Sequence, residues 1–208
     1  MGVYIKRAEY DEVKAYADDI VQQQIERCMK ELSNYFEEED KVDYEIDDFC
    51  QVLEKLYLEV ESLQGEERKG EIIRIGIYYM QSYCVTNSHP FIIYAYDEKG
   101  PLDVNQCSSD WDCNCVMKYY EPNMAYLEKQ IKSKFIQVSD EIWLRLKREY
   151  LLAYCIIVLD YLQNLVELFY KIDTYERICV SNPVTITFGE YLEEGEVVYQ
   201  ITGEESFY

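Results

Sequence analysis

From residue 142 to about residue 172 the chain contains neither glycine nor proline, and every residue from 151 to 159 is apolar or aromatic. At ~1.5 Å per residue, a helix over this stretch is roughly 45 Å long, enough to cross a whole domain. Ser139 stands at the N-cap position with Asp140 and Glu141 behind it, where carboxylates meet the positive end of the helix dipole. A helix that is hydrophobic all round is either a membrane span or the centre of a core. Here the apolar run lies between Glu149 and Asp160, well short of the ~20 residues a bilayer requires. The stretch therefore predicts a long buried core helix.

The rest of the chain falls around it. Val13, Tyr16, Ile20, Cys28, Met29, Leu32 and Phe36 recur at helical spacing and predict a first helix over residues 9–39. After an acidic run, Ile46, Phe49, Leu53, Leu56, Val60 and Leu63 predict a second, ending at Gly65. A short connection between two amphipathic helices predicts an antiparallel helical hairpin. From Gly70 the period becomes two: Ile73, Ile75, Ile77 and Tyr79 alternate with Arg74, Gly76 and Tyr78, and residues 91–96 form a second strand. A short helix is expected over residues 123–135, and after Pro183 the alternation returns in Val184, Ile186, Phe188 and residues 197–201. No repeat or flexible linker divides the sequence. The expectation is one α+β domain over residues 1–208: an N-terminal helical hairpin, a central antiparallel β-hairpin, the long core helix and a C-terminal β-hairpin.

Charge then limits what such a domain binds. Forty-one acidic residues against twenty basic ones leave a formal charge of −21, which repels nucleic-acid phosphates and anionic membranes. No direct nucleic-acid or membrane binding is expected, unless the locally basic segment over residues 118–148 (Lys118, Lys129, Lys132, Lys134, Arg145, Lys147 and Arg148) overcomes the global field. The N-terminus shows no apolar run of signal-peptide length, so eight cysteines read as reduced thiols of a cytoplasmic protein rather than a disulfide framework. The 22 tyrosines are expected mainly at the edge of the core with the hydroxyl in water.

Catalytic signatures are scarce. Phosphate-binding glycine loops, nucleophile elbows and zinc-protease motifs are all missing. Cys107, Cys113 and Cys115 form a weak metal candidate, because C-x-C is not the spacing of a zinc ribbon and no second pair follows. His89, the sole histidine, precedes Pro90 in a turn and reads as a solvated turn residue. A pocket near Cys84, His89 and Trp111 remains the enzymatic or ligand-binding alternative. No cofactor is expected.

What remains is acidity arranged among tyrosines. Between residues 37 and 48, Tyr44 sits with Glu37, Glu38, Glu39, Asp40, Asp43, Glu45, Asp47 and Asp48; near the C-terminus Tyr191 and Tyr199 accompany Glu190, Glu193, Glu194 and Glu196. Such surfaces serve solubility, or they imitate spaced phosphates and steer a basic partner into place. The profile is similar to that of toxin-neutralising immunity proteins and phage inhibitors of nucleic-acid enzymes, a likeness that rests on no motif. It implies a basic protein partner, possibly a nucleic-acid enzyme.

Overall fold

The computed structural model describes residues 8–202. Two helices open it, α1 (Tyr10–Tyr35) and α2 (Glu39–Gly65), joined by a three-residue turn. Val13, Ala17, Val21, Cys28 and Leu32 form the buried stripe of α1, and Phe49, Leu53, Leu56, Tyr57 and Val60 that of α2. The two stripes go to different partners. The first helix packs on the later helical segments, whereas α2 lies across strands of the sheet.

The central hairpin is β1 (Ile72–Tyr79) against β2 (Phe91–Tyr96), with Ile75 opposite Ala95 and Ile77 opposite Ile93. Its connection holds one helical turn, α3 (Tyr83–Thr86). A third strand, β3 (Cys107–Trp111), pairs with β2 in a segment whose sequence shows little regularity. Cys107, Ser109 and Trp111 point inward while Ser108 and Asp110 face out, so a serine in the middle hides the alternation. The C-terminal hairpin is β4 (Val180–Glu190) and β5 (Glu196–Ile201). The two hairpins are one sheet, because β4 runs parallel to β1; the strand order is β3-β2-β1-β4-β5.

Between them run α4 (Asn114–Met117), α5 (Tyr120–Lys134), α6 (Asp140–Leu162) and α7 (Leu168–Lys171). The Ser139 hydroxyl caps α6 by accepting from the Ile142 N–H at 3.3 Å. This helix stops at Leu162 rather than near residue 172. Asn164 turns its amide back onto the carbonyls of Asp160 and Tyr161, at 3.3 and 3.4 Å, a local bond that competes with the helical ladder. Leu151, Tyr154, Cys155, Ile157, Val158 and Leu162 are buried as a core helix requires. Leu152 and Ile156 are not: they are 48% and 58% exposed. The apolar run is therefore buried on most of its circumference and open along one stripe.

The tyrosines are used more deeply than expected. Tyr57, Tyr120 and Tyr154 are fully enclosed. Tyr57 donates to the Phe169 carbonyl at 2.8 Å, Tyr120 to that of Lys147 at 2.7 Å, and the Tyr154 hydroxyl accepts from Asn123 at 2.5 Å. A buried hydroxyl with a partner avoids the desolvation cost of an unpaired one. Among the described residues no helix is long and apolar enough to cross a membrane.

The open stripe on α6 gives a direct check. Val158→Asp buries an unpaired charge and should abolish soluble expression. Ile156→Ser, two positions away, should change stability by about 0.5 kcal/mol or less, as read by urea denaturation.

Candidate functional site

The exposed stripe of α6 forms one wall of a trough; the C-terminal hairpin forms the other. Leu152, Ile156 and Leu159 face Tyr79 and Phe188, and Glu190, Glu193, Glu194 and Glu196 line the hairpin side, around a hollow of about 520 Å³. A smaller hollow of about 180 Å³ shares Tyr79, Leu152 and Glu190 and extends the trough past Gln81 to Arg148 and Glu149.

Two glycines hold the hairpin in shape. A Cβ on Gly189 would meet the Cα of Gly195 at 2.7 Å, and Gly195 itself has φ +71°. The close approach requires glycine at 189, and the left-handed backbone at 195 favours glycine there. Beyond this neck the Tyr191 N–H donates to the Tyr79 carbonyl at 2.9 Å and the Glu193 N–H to Glu190 at 3.1 Å. The glutamates thus hang on a fixed loop, and Leu192 at its tip is 77% exposed. Glu190 accepts from Gln81 at 2.8 Å; among the described residues no cation stands against Glu193, Glu194 or Glu196. Their field reaches the floor of the trough: burial, followed by the nearby groups Cys155, Glu190, Glu193 and Glu196, pushes the Tyr79 hydroxyl up to about 12.

The tyrosines predicted to accompany these glutamates point elsewhere. Tyr191 packs on Tyr78 and Tyr94 across the outer face of the sheet, and Tyr199 stacks on Tyr170. Aromatic pairs of this kind gain more than the burial of their area alone. The aromatic surface of the trough comes from Tyr79 and Phe188 instead.

The second acidic stretch is the corner between α1 and α2. Glu37, Glu38, Glu39, Asp40, Asp43 and Asp47 are exposed there, Asp48 is half-buried, and Tyr44 is 64% exposed. Several of these acids have local duties. Glu38 pairs with Lys41 at 2.7 Å, while Glu39 and Asp40 occupy the first turn of α2, where they meet its positive dipole end. Glu45 is buried and accepts from the Tyr35 hydroxyl at 2.8 Å. Burial and then the Asp112 charge raise the Asp48 carboxyl above its ordinary value.

The basic segment is largely occupied within the chain. Lys118 lies over the Tyr35 ring at 4.6 Å, Lys134 over Tyr16 at 3.7 Å and Arg145 over Tyr10 at 3.7 Å. Lys132 pairs with Glu128 at 2.6 Å and the buried Lys147 with Glu121 at 3.5 Å. Of the seven cations of this segment, Lys129 and Arg148 are left without such a contact among the described residues.

Cys84 and His89 are brought to the same aromatic residue, Tyr120, but not to each other. The Cys84 sulfur stands 3.9 Å from the Tyr120 hydroxyl and the His89 ring 4.9 Å from the Tyr120 ring. Burial raises the Cys84 thiol, the opposite of what activates a nucleophile. Trp111 packs in the core against Phe49 and Phe91. His89 is no solvated turn residue: its side chain is 9% exposed and its Nε2 lies 3.1 Å from Glu121. The two form an ion pair only when His89 is protonated, and the atoms are not aligned for a hydrogen bond. Of the metal candidates, Cys113 and Cys115 come together with sulfurs 3.9 Å apart, both buried, while Cys107 lies on β3 with its thiol pushed up to about 11 by burial. Among the described residues no three His, Cys, Asp or Glu side chains converge as metal ligands.

Leu152, Ile156 and Tyr79 carry no sequence motif, yet a signal for the first two exists. Glu141, Arg145, Arg148, Asp160 and Gln163 are exposed on the same helical stripe, and that stripe passes through positions 152 and 156. Polar residues above and below mark the face that turns outward.

Comparison with protein-family models, characterised proteins and solved structures finds no match to this chain.

The buried histidine predicts an acid dependence. Burial, the largest influence, lowers His89 below its ordinary 6.5 despite the raising effect of Glu121. The folded state then binds this proton more weakly than the unfolded state, so stability falls as pH drops through 6.5 and below. His89→Gln should flatten that part of the wild-type stability curve, measured by chemical denaturation at pH 7.5, 6.5 and 5.5.

Proposed function

We propose that the chain is a non-enzymatic acidic binding protein of the inhibitor or immunity type, which neutralises a basic protein partner such as a nuclease or another nucleic-acid enzyme. The observation that carries this reading is the terminal hairpin. Among the described residues Glu193, Glu194 and Glu196 have no cation opposite them, backbone hydrogen bonds of Tyr191 and Glu193 hold their loop, and they border an apolar surface. Acidity that served solubility alone would need neither a fixed geometry nor an apolar neighbour. Anionic groups held in place lose little ordering entropy when a partner arrives, and their field accelerates the encounter. Engagement of most cations of residues 118–148 within the chain lends no support to direct nucleic-acid binding. The enclosed surroundings of Cys84, His89 and Trp111 lend little to catalysis.

The experiment is charge reversal against the partner recovered from the native host. Glu193→Lys, Glu194→Lys and Glu196→Lys combined should leave folding intact, since these are exposed positions. Association should slow by about tenfold or more, and the wild-type complex should weaken as salt rises. Glu37→Lys, Asp43→Lys and Asp47→Lys report separately on the corner of the helices. Unchanged association in both variants would leave the acidity as a solubility device and remove the inhibitor reading.

A further inference from the structure

The trough beside the hairpin is specific about what fits it. Its α6 wall is the ridge of Leu152, Ile156 and Leu159, at three- and four-residue steps, with Tyr79 and Phe188 across from it. A ridge of this spacing packs into the grooves of another helix. The two joined hollows extend along α6 from Arg148 to Leu159, roughly 16 Å or three helical turns. An extended peptide would find little to pair with, because residues 188–190 already form the parallel ladder with residues 77–79. Charge selects further. Glu193, Glu194 and Glu196 line the hairpin side of the larger hollow, Arg148 and Glu149 stand together in the smaller one, and Glu190 borders both.

We propose that this trough takes an amphipathic, positively charged helix of the partner protein, about three turns long. Its apolar residues at i, i+4 and i+7 would lie over Leu152, Ile156 and Leu159. Its lysines or arginines would be concentrated in the part that lies over the larger hollow, facing Glu193, Glu194 and Glu196. This rests on the reading of the chain as a binder of basic proteins, and it names the element of the partner that is bound.

The probe is a synthetic helix-forming peptide of about three to four turns, with leucines on one face, lysines flanking them toward one end and alanines elsewhere. Its control has the same composition with the leucines scattered around the helix. Binding is measured by calorimetry on the full chain. The ordered peptide should bind at least tenfold more tightly than the scattered one. Leu152→Ser with Ile156→Ser should weaken binding at least tenfold while thermal unfolding stays near wild type, and the Glu193, Glu194 and Glu196 reversal should do the same. Equal binding of the two peptides, no binding of either, or indifference to the Leu152/Ile156 variant each overturns the helix-in-trough assignment. If only the glutamate reversal matters, acidic recognition stands and the trough does not; if neither variant matters, both readings fall. Sedimentation covers the remaining occupant. Self-association lost in Leu152→Ser with Ile156→Ser would assign the trough to a second copy of this chain and overturn the proposal.

Discussion

The structure depends on one long-range contact, the parallel pairing of β1 with β4. It places Ile75 beside Ile186 and Ile77 beside Phe188, residues more than a hundred positions apart. Without it the sheet would part into the three strands β1–β3 and the lone hairpin β4–β5, and an isolated hairpin is marginally stable at best. Both ends of the pairing are fastened by groups outside the ladder. At the start, the Gln64 side chain donates to the carbonyls of Gly70 and Cys179 at 2.8 and 2.9 Å and accepts from the Cys179 N–H at 2.8 Å. At the finish, the Tyr191 N–H reaches the Tyr79 carbonyl. On the outer face, the Tyr78 ring folds back over Gly76, where a Cβ would come within 2.4 Å of it. The glycine in this central strand leaves room for the ring, which covers the place its side chain would take.

The trough follows from this pairing. Because β4 continues alongside β1 as far as Glu190, it delivers the hairpin loop to the flank of α6 rather than over its top. Leu152 and Ile156 are then bordered by the loop but not covered by it. An alternative register shifted by one residue would exchange Phe188 and Ile186 for threonines on the inner face. The core would lose its packing and the loop would lose its glycine neck together.

Local pattern made most elements legible in the sequence. Period two found β1, β2, β4 and β5, and period three to four found α1, α2, α5 and α6, with Ser139 marking a helix start that the structure keeps. What the pattern could not show was pairing between distant segments. The union of the hairpins, and the division of α1 and α2 between the helical layer and the sheet, lie in that class. Asn164 ended α6 through a side-chain bond to its own backbone, a stop weaker in sequence than glycine or proline. The acidic half of the site was visible as composition. The apolar half was hidden, because a run of apolar residues looks uniformly buried until its position between polar residues of one helical stripe is followed through.

The two acidic stretches look alike as sequence and differ as surfaces. At the corner of α1 and α2, Glu38 has Lys41, Glu39 and Asp40 have the helix dipole, and Glu45 has Tyr35. Much of that charge therefore contributes to folding the corner itself. On the terminal hairpin Glu193, Glu194 and Glu196 have no such duty, and no lysine or arginine follows Arg177. Elsewhere the chain places cations over rings or beside carboxylates, as with Lys118, Lys134 and Lys132. Three carboxylates on and beside one loop repel one another, and among the described residues none of them makes an ion pair, although Arg74 lines a hollow shared with Glu194. Under the proposed function the arrangement becomes favourable when cations arrive from outside, and the apolar surface beside it would supply the part of the binding energy that salt does not screen. On that proposal the combination separates the hairpin from the corner as the surface offered to a partner.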